Sequence, residues 1–450
     1  MAYKYRPKNK EELVEAIKKE IFEIQGSKYS PNWKADLNCI DTSLITDMSY
    51  LFSDEYDLEN FNGNISNWNV SNVKNMNRMF LHSQFNGNIS KWNVNNVEDM
   101  SWMFAYSQFN QDISKWDVSN VENMKYMFQN SQFNQDISKW DVSNVINMGC
   151  MFAFSQFNGD ISNWDVSNVK YMQWMFEKSK FNKDISNWDV SNVENMSYMF
   201  SDSEFNQDIS NWDVSNVKNM KWMFENSKFN QDISNWNVSN VKNMKRMFRS
   251  SQFNGDISKW NVSNVENMSY MFEDSQFNGD ISNWDVSNVK NMKSMFENSK
   301  FNQDISKWNV SNVTDMENMF LGSDFNKDIG SWPKDLKKQT ELENISVSPK
   351  YNRLPDKIVS SETVANVFIR SVKNPDNTFN INSFKQILKE YLEKHKELYK
   401  NKGYKTKIIN KLILNDIADI LKYLKDKNIQ EKFMEITMNK NKEPDIDIIS

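Results

Sequence analysis

Apolar side chains return in the same order every 24 residues over most of the chain. One copy, residues 205–228, reads FNQDISNWDVSNVKNMKWMFENSK. Its first Phe, which we number repeat position 1, recurs without insertion at 61, 85, 109, 133, 157, 181, 205, 229, 253, 277, 301 and 325. A fixed period of this length is typical of a solenoid, in which each repeat forms one coil that packs on its neighbours. We therefore expect about 12 coils, the last of them shortened.

The apolar pattern changes its period within each unit. Repeat positions 1 and 5 are apolar in a short polar stretch, which predicts an extended segment over 205–210 with Phe205 and Ile209 directed inward. Positions 13, 16, 19 and 20 then fall on one stripe of roughly 120° at ~100° per residue, which predicts a short helix over 216–224. Ser215 is placed as its N-cap. The fold class predicted for the repeats is therefore α/β: a right-handed, leucine-rich-repeat-like solenoid with one short parallel strand and one short helix per coil.

The N-terminal region carries a different pattern. Residues 9–26, NKEELVEAIKKEIFEIQG, place apolar side chains on one helical face, and Asn9 and Glu12 have the spacing of a capping box. We interpret residues 1–36 as a helix that caps the first coil. Residues 37–52, LNCIDTSLITDMSYLF, are a degenerate copy of the second half of the unit, as terminal repeats often are.

The repeat ends at Trp332 and Pro333. We therefore assign residues 37–332 to the solenoid. The polar stretch 333–360 is assigned as a linker, and apolar stripes at helical spacing beyond it predict a helical C-terminal domain over 361–450. This domain either caps the last coil or forms a separate module.

Composition limits the classes of function. The net charge of −6 argues against a dedicated nucleic-acid-binding protein, which usually carries a basic domain. The mean hydropathy is −0.75, yet 14% of the residues are aromatic, which is unlike a disordered chain. No apolar run is long enough to span a membrane. The N-terminal sequence MAYKYRPKNK has no apolar leader and no lipidation cysteine, so the chain as printed is expected in the cytoplasm.

The residues that usually carry metal or nucleophilic chemistry are scarce. The chain has two cysteines, Cys39 and Cys150, and two histidines, His82 and His395, all far apart in sequence. These counts argue against a disulfide framework, a zinc site or a histidine-based catalytic cluster. We expect no metal, no cofactor and no enzymatic activity. An enzyme in the C-terminal domain is the weakest alternative.

The repeated motif FNxDISxWDVSNVxNMxxMF, as in residues 157–176 and 277–296, closely resembles the BspA-like leucine-rich-repeat surface proteins of bacteria. The stretch ADLNCIDTSLITDMSYLF, residues 35–52, looks like the entry segment of that family. The resemblance covers about residues 35–332. It implies a leucine-rich-repeat-like coil and, in the family at large, adhesion or host-protein binding at the cell surface, with no enzymatic activity.

A row of aromatic residues at repeat position 18 is the first candidate binding site. A helical wheel places this position almost opposite the apolar stripe, so the rings should face outward. Exposed aromatic patches usually mark contact surfaces, although each ring could instead shield the methionines of a neighbouring coil. The candidate residues are Trp102, Tyr126, Trp174, Tyr198, Trp222 and Tyr270.

A ladder of carboxylates at repeat position 4 is the second candidate. Like charges repeated at the strand spacing of ~5 Å repel one another unless cations, a basic partner or local donors relieve them. We interpret each Asp as capping its own turn, with calcium binding as the alternative. The residues are Asp112, Asp136, Asp160, Asp184, Asp208, Asp232, Asp256, Asp280 and Asp304.

From the sequence, the leading hypothesis is a non-enzymatic, adhesion-type binding protein. Its solenoid would present an extended surface to a protein or glycan partner, without nucleic acid or a membrane-spanning segment. A structural scaffold that assembles through its edges or its aromatic rows is the alternative. We expect a monomer or weak self-association.

Overall fold

The structure is a computed structural model that describes residues 3–23, 33–329 and 331–333. The chain divides into two units, Met1–Thr340 and Glu341–Ser450. All but the first residue of the predicted linker 333–360, and the whole predicted helical domain 361–450, lie outside the described residues. The account below concerns the first unit.

Helix α1 spans Lys10–Glu23, inside the stretch for which the sequence predicts a helix. Asn9 is its N-cap, because its Oδ1 accepts a hydrogen bond from the backbone N–H of Glu12 at 2.9 Å. The Glu12 carboxylate accepts in turn from the backbone N–H of Lys8 at 2.8 Å, one residue earlier than in a standard capping box. Two side-chain oxygens therefore accept backbone N–H groups at the N-terminal end of α1.

The inner face of α1 is apolar, and its rim is held by charge. Leu13, Ile17 and Ile21 are completely buried. The Lys10 ammonium donates to Asp47 Oδ2 at 2.9 Å, which joins α1 to the degenerate first coil. A single 3-10 turn, Asp54–Tyr56, follows that coil, and no further helix occurs among the described residues.

The backbone of each regular coil is built from tight turns. In the copy 181–204, the N–H of Met199 bonds to the carbonyl of Met196 at 3.2 Å, and the N–H of Ser203 bonds to that of Phe200 at 3.4 Å. The third residues of these two turns have φ values of 59° at Tyr198 and 54° at Asp202. A positive φ at this place alone is the mark of a type II turn. Two such turns in succession make up the second half of the coil.

The helix predicted over 216–224 and the strand predicted over 205–210 are therefore wrong. In the described coils, pairing of β type is confined to single residues, as between Asn219 and Asn243. Successive four-residue turns return side chains to the interior at the same i, i+3, i+4 spacing as a helix does. The apolar positions do face the interior, as their spacing predicted. That spacing arises from a series of turns and not from a helix.

Neighbouring coils are joined by a ladder of backbone hydrogen bonds, most of which run forward to the following coil, whereas the N–H of Lys218 donates back to the carbonyl of Glu194 at 2.9 Å. The N–H groups of Met220, Trp222 and Phe224 donate to carbonyls of the following coil at 3.0, 2.8 and 2.9 Å. The same offset recurs from coil to coil. Because alternate residues donate forward, the backbone of the turns is paired although no regular strand forms.

Aromatic rings fill the interior in continuous stacks. Phe205 lies 6.3 Å from Phe229 between ring centroids, and Trp212 lies 6.5 Å from Trp236 with their planes 3° apart. The Trp212 indole N–H donates to the carbonyl of Ile185 in the preceding coil at 3.0 Å. From Trp68 to Trp308, each Trp at this repeat position thus fills the core and satisfies a carbonyl of the preceding coil. Repeated Phe, Trp, Val, Ile and Met side chains make one core along the solenoid.

Repeated asparagines satisfy the remaining loop groups. The backbone N–H of Asn206 donates to Oδ1 of Asn182 at 2.9 Å, and this contact continues from coil to coil. The side-chain amide of Asn216 donates to the carbonyl of Ser191 at 2.7 Å. These amide ladders fix the register of one coil on the next.

Candidate functional site

Repeat position 18 forms a row along the outer surface of the solenoid, which we call the outer row. Its backbone lies in the left-handed region in every coil, as in Trp102 at 60° and Trp222 at 57°. The aromatic side chains are half-buried. The outer row consists of Arg78, Trp102, Tyr126, Cys150, Trp174, Tyr198, Trp222, Arg246, Tyr270, Ser294 and Asn318, preceded by Tyr50 in the degenerate coil.

Neighbouring rings of the outer row stack on one another. The centroids of Trp102 and Tyr126 are 3.9 Å apart. Trp174 stacks on Tyr198 at 5.0 Å, and Tyr198 stacks on Trp222 at 4.6 Å. The rings thus cover each other's faces.

Two arginines of the outer row are sandwiched between rings. The Arg246 guanidinium carbon lies 5.6 Å from the centre of Trp222 and 4.7 Å from that of Tyr270. Lys245 shares both rings, at 5.3 and 5.7 Å. Because aromatic faces attract cations, the arginine continues the stack instead of interrupting it.

The second sandwich lies at the N-terminal end of the row. The Arg78 guanidinium carbon is 5.2 Å from the centre of Tyr50 and 5.3 Å from that of Trp102. Arg78 also donates a hydrogen bond to the Tyr50 hydroxyl. Aromatic, arginine and aromatic side chains in consecutive coils are thus a recurring element of the surface.

Carboxylates at repeat position 21 run beside the outer row. Burial raises the pKa of the Tyr198 hydroxyl, and the negative charges of Glu225 and Glu177 raise it further, which places both carboxylates near this hydroxyl. Glu225 pairs with Arg249 at 3.0 Å, and Arg249 also pairs with Glu273 at 2.5 Å. The outer row is therefore flanked by buried charge.

Glu177 differs from these paired carboxylates. It forms no ion pair within the described ranges, and burial raises its pKa to about 7. Lys178 lowers that pKa, whereas Asp202 and Glu225 raise it. A partly buried carboxylate without an ion-pair partner is expensive to ionise.

The aromatic residues of the outer row are poor choices for its backbone. A left-handed φ costs a non-glycine residue about 1–2 kcal/mol, and glycine and asparagine tolerate it best. A stacked aromatic pair returns about 0.5–1.5 kcal/mol. The stacking therefore does no more than offset a backbone cost that asparagine would largely avoid.

Each Asp of the repeat-position-4 ladder is bonded within its own turn. Oδ1 of Asp112 accepts the backbone N–H of Ser114 at 2.9 Å, and the same bond recurs down the ladder. These N–H groups lower the carboxyl pKa of Asp112, Asp136, Asp160, Asp184, Asp232, Asp256, Asp280 and Asp304. Asp208 makes the same bond to Ser210. This geometry gives the ladder a local role in turn formation.

Two further features concern metals and membranes. In the part of the chain that the structure describes, no group of three or more His, Cys, Asp or Glu side chains is placed to hold a metal ion. Nor does any described helix combine the length and apolarity needed to cross a bilayer.

Sequence reasoning found the aromatic members of the outer row but missed their neighbours. In the sequence, Arg78 and Arg246 interrupt the aromatic series, and nothing in the pattern singles out Glu177 or Arg249. Repeat position 21 varies among Leu, Ala, Gln, Glu, Ser and Arg, so it shows no periodic signal. The alternation of aromatic and arginine residues at repeat position 18 was the one signal available.

Comparison with protein families gives a match over the repeats. The model described as "Mycoplasma protein of unknown function, DUF285" matches residues 20–132, 106–204, 153–252, 178–276 and 249–352. No curated protein and no solved structure was found to match the chain. The overlapping family matches run continuously from residue 20 to residue 352, well over half of the chain. The chain therefore belongs to the repeat family described as Mycoplasma protein of unknown function, DUF285.

Proposed function

We propose that this chain is a non-enzymatic binding protein that presents the outer row to a protein partner. The observation that carries the proposal is the choice of residue at repeat position 18. Trp and Tyr occupy a left-handed backbone position there, as at Trp174 and Trp222, where asparagine or glycine would fold more easily. Residues that a coil does not need for folding are candidates for function.

The chemistry of the outer row supports a protein partner more than a glycan. Tyr, Trp and Arg are the residues that dominate binding hot spots between proteins. Tyr198 is stacked between Trp174 and Trp222, so its two faces are already covered. A sugar that stacks on an open ring face finds little room there, whereas a protein can pair with ring edges and with the flanking lysines.

The finer parts of the proposal rest on the resemblance to BspA-like surface proteins. Adhesion at a cell surface follows from that resemblance, carried by the motif FNxDISxWDVSNVxNMxxMF. Fractionation of the native cell, with protease treatment of intact cells, tests this location. Protection of the chain in intact cells would exclude the surface role while leaving the binding role open.

Replacing three stacked rings tests the binding role. The variant carries Trp174→Asn, Tyr198→Asn and Trp222→Asn. Asparagine suits the left-handed backbone and already occupies this position at Asn318. If each ring contributes at least about 1 kcal/mol, partner affinity should fall by about 100-fold or more. Affinity capture from cell extracts, followed by titration of the captured protein, measures this.

A matched variant removes exposed rings outside the outer row. Tyr106→Asn, Phe154→Asn and Tyr171→Asn replace three side chains that are 41%, 39% and 39% exposed. We expect this variant to keep its partner. Equal capture by the outer-row variant and the wild type would refute the proposal, and a parallel glycan array would show whether a sugar is bound instead.

A further inference from the structure

Three cations gather around a single ring of the outer row. The Lys221 ammonium lies 5.4 Å from the centre of Trp222, the Lys245 ammonium 5.3 Å, and the Arg246 guanidinium carbon 5.6 Å. Any two of these cations therefore lie within about twice that distance of each other, in two consecutive coils. All three side chains are half-buried, so they remain in contact with solvent. We call Lys221, Lys245 and Arg246 the Trp222 cation cluster.

No carboxylate is paired with this cluster. Within the described ranges, its two lysine ammonium groups contact aromatic rings and form no ion pair. Other cations nearby are paired, since Arg249 lies 3.0 Å from Glu225 and Lys293 lies 2.6 Å from Glu317. The charge of Glu225 also reaches Arg246, but this carboxylate is already bonded to Arg249. The cluster is thus positive charge that its own coils leave without a paired anion.

The cations of the cluster also disfavour one another. Burial lowers the pKa of the Lys245 ammonium, and the positive charges of Arg246 and Lys221 lower it further. The folded surface therefore holds this charge less readily than water does. Like charges that are held close together without an anion are relieved when an anion binds beside them.

The other arginine sandwich of the outer row forms without such lysines. Arg78 lies between two rings as Arg246 does. Around Arg78, repeat position 17 holds the neutral residues Asn77 and Ser101, whose side chains bond to each other at 2.6 Å. Around Arg246, the same position holds the two lysines of the cluster. These lysines are therefore an addition to a structural element that does not require them.

The cluster offers side-chain donors, whereas its backbone donors are already used. The backbone N–H groups of Lys221 and Lys245 donate to asparagine side chains of their own coils at 3.2 and 3.0 Å. Those of Trp222 and Arg246 donate to carbonyls of the following coil. A small anion such as phosphate is often held by a concave nest of backbone N–H groups, and these four are not free to form one. A chain that carries several carboxylates can instead meet the cations of both coils together.

We propose that the Trp222 cation cluster binds an acidic segment of the partner protein, one with at least two Asp or Glu side chains. The two ammonium groups donate to carboxylate oxygens of this segment, and Arg246 adds a third positive charge. Because the chain as a whole carries a net charge of −6, the cluster orients an acidic partner that other surfaces repel. This inference rests on the proposed binding function and names the chemistry of the partner at one part of the outer row.

The test uses the peptide acetyl-Gly-Glu-Glu-Glu-Glu-Gly-amide as probe, titrated into the full chain at pH 7 and followed by NMR and by tryptophan fluorescence. The analogue with glutamine in place of glutamate keeps the size but loses the charge, and it should show no saturable binding. Salt should weaken binding of the acidic peptide steeply, because the screening length falls from ~30 Å at ~0.01 M to ~3 Å at ~1 M. Equal binding of the two peptides, or no saturable binding of the acidic peptide, overturns the proposal.

A pair of charge-removing variants locates the site. Lys221→Gln with Lys245→Gln should weaken binding of the acidic peptide by about tenfold or more, since two ion pairs are lost. Lys218→Gln with Lys242→Gln is the matched control, because it removes the same charge from the same two coils at repeat position 14. The control should bind the peptide nearly as the wild type does. Equal weakening in both variants would show a general effect of net charge and refute the site.

The unfolding temperature guards this comparison against loss of the fold. Lys221→Gln with Lys245→Gln removes attraction to the rings and repulsion within the cluster together, so stability should change little. The control loses the exposed pair between Lys218 and Glu194, which contributes little to stability. Peptide binding that survives in a folded Lys221→Gln, Lys245→Gln variant would place the peptide elsewhere and overturn the proposal.

Two other anionic occupants are outcomes of the same test. A heparin hexasaccharide that binds more tightly than the acidic peptide, and loses its binding in Lys221→Gln with Lys245→Gln, would make the occupant a sulfated glycan. Self-association of the wild type that is absent from this variant, measured by analytical ultracentrifugation, would make it a second copy of the chain. Either result overturns the assignment to an acidic segment of another protein.

Partner capture separates this inference from the proposed function. If capture is lost in the outer-row asparagine variant but unchanged in Lys221→Gln with Lys245→Gln, the function stands and the acidic-segment inference is wrong. If peptide binding requires Lys221 and Lys245 while partner capture does not depend on the outer row, the anion site is real and the proposed function is wrong.

Discussion

Two stacks of aromatic rings run along the same solenoid, one inside and one outside, and they behave differently. The inner Trp stack keeps a near-constant spacing, with 6.4 Å between Trp188 and Trp212 and 6.5 Å between Trp212 and Trp236. In the outer row the spacing ranges from 3.9 to 5.0 Å. The inner spacing follows the coil, whereas the outer rings adjust to one another. The inner stack belongs to the fold, and the outer row is an addition to it.

A second comparison isolates the choice of residue from the shape of the backbone. Repeat positions 18 and 22 are both left-handed in each regular coil. Position 22 holds Asn, Asp or Gly in six of eleven coils, as that backbone prefers, whereas position 18 holds one Asn. Position 22 thus often carries residues that suit a left-handed backbone, whereas position 18 mostly carries residues that do not. This contrast is the reason to seek function at position 18.

The largest expected effect separates the inner stack from the outer row. Phe224→Ala should destabilise the protein by about 3–5 kcal/mol, because it leaves a cavity in a continuous core. Trp222→Asn, two residues away, should change stability by less than about 1 kcal/mol, since the lost stacking is offset by backbone relief. Urea unfolding followed by circular dichroism measures both. Similar losses in the two variants would make the outer row structural.

An intermediate effect tests the left-handed backbone. Tyr198→Val should cost about 1–3 kcal/mol, because a β-branched residue is poorly accommodated at positive φ. Asp202→Val, at repeat position 22, should cost a similar amount. Tyr198→Asn should cost much less than either. Thermal unfolding of the three variants compares them, and a tolerated valine at both positions would contradict the turn geometry.

The smallest effect concerns pH. The pKa of Glu177 is raised from 4.5 to about 7 in the folded chain, so its ionisation opposes folding. Its neutral form is fully compatible with the fold below pH 4.5, and stability should decline as pH rises from 4.5 through 7. Lys178 moderates this decline, and Asp202 and Glu225 strengthen it. Glu177→Gln should flatten the pH dependence of the unfolding temperature in that window.

A carboxylate with the opposite shift serves as control. The Ser162 backbone N–H lowers the pKa of Asp160, so its contribution is present at neutral pH and is lost on acidification through the folded pKa. Asp160→Asn should therefore alter the acid limb below pH 4 and leave the window above pH 5 unchanged. If both variants change the unfolding temperature in the same pH window, the two pKa shifts do not explain the pH dependence of stability.

The sequence predicted the contents of the core but not the path of the backbone. Phe205, Ile209 and Met220 are fully buried, as their periodicity indicated. The helix was wrong because apolar residues at i, i+3 and i+4 satisfy both a helix and consecutive type II turns. Left-handed φ at Tyr198 or Trp222 has no signature in residue type, since neither residue favours it.

The sequence predicted which aromatic residues form the candidate site, but it did not predict how they contact one another. A regular period was enough to place Trp174 and Tyr198 in one outward row. That they cover each other's faces depends on side-chain rotation within a 24-residue offset, which no pattern encodes. Glu177 was missed for a different reason: its burial comes from neighbours in other coils, and its own repeat position is variable.

The forward ladder of backbone hydrogen bonds has a consequence for how this surface can change over generations. In the regular coils the forward bonds join residues of adjacent coils through the same offset, as Trp222 to Lys245. Loss or duplication of one 24-residue unit by recombination therefore leaves the remaining bonds in register. Deletion of 133–156 would place Tyr126 and Trp174 in adjacent coils without disturbing the core. The outer row can thus be shortened, lengthened or reordered in whole units while the fold of each coil stays the same.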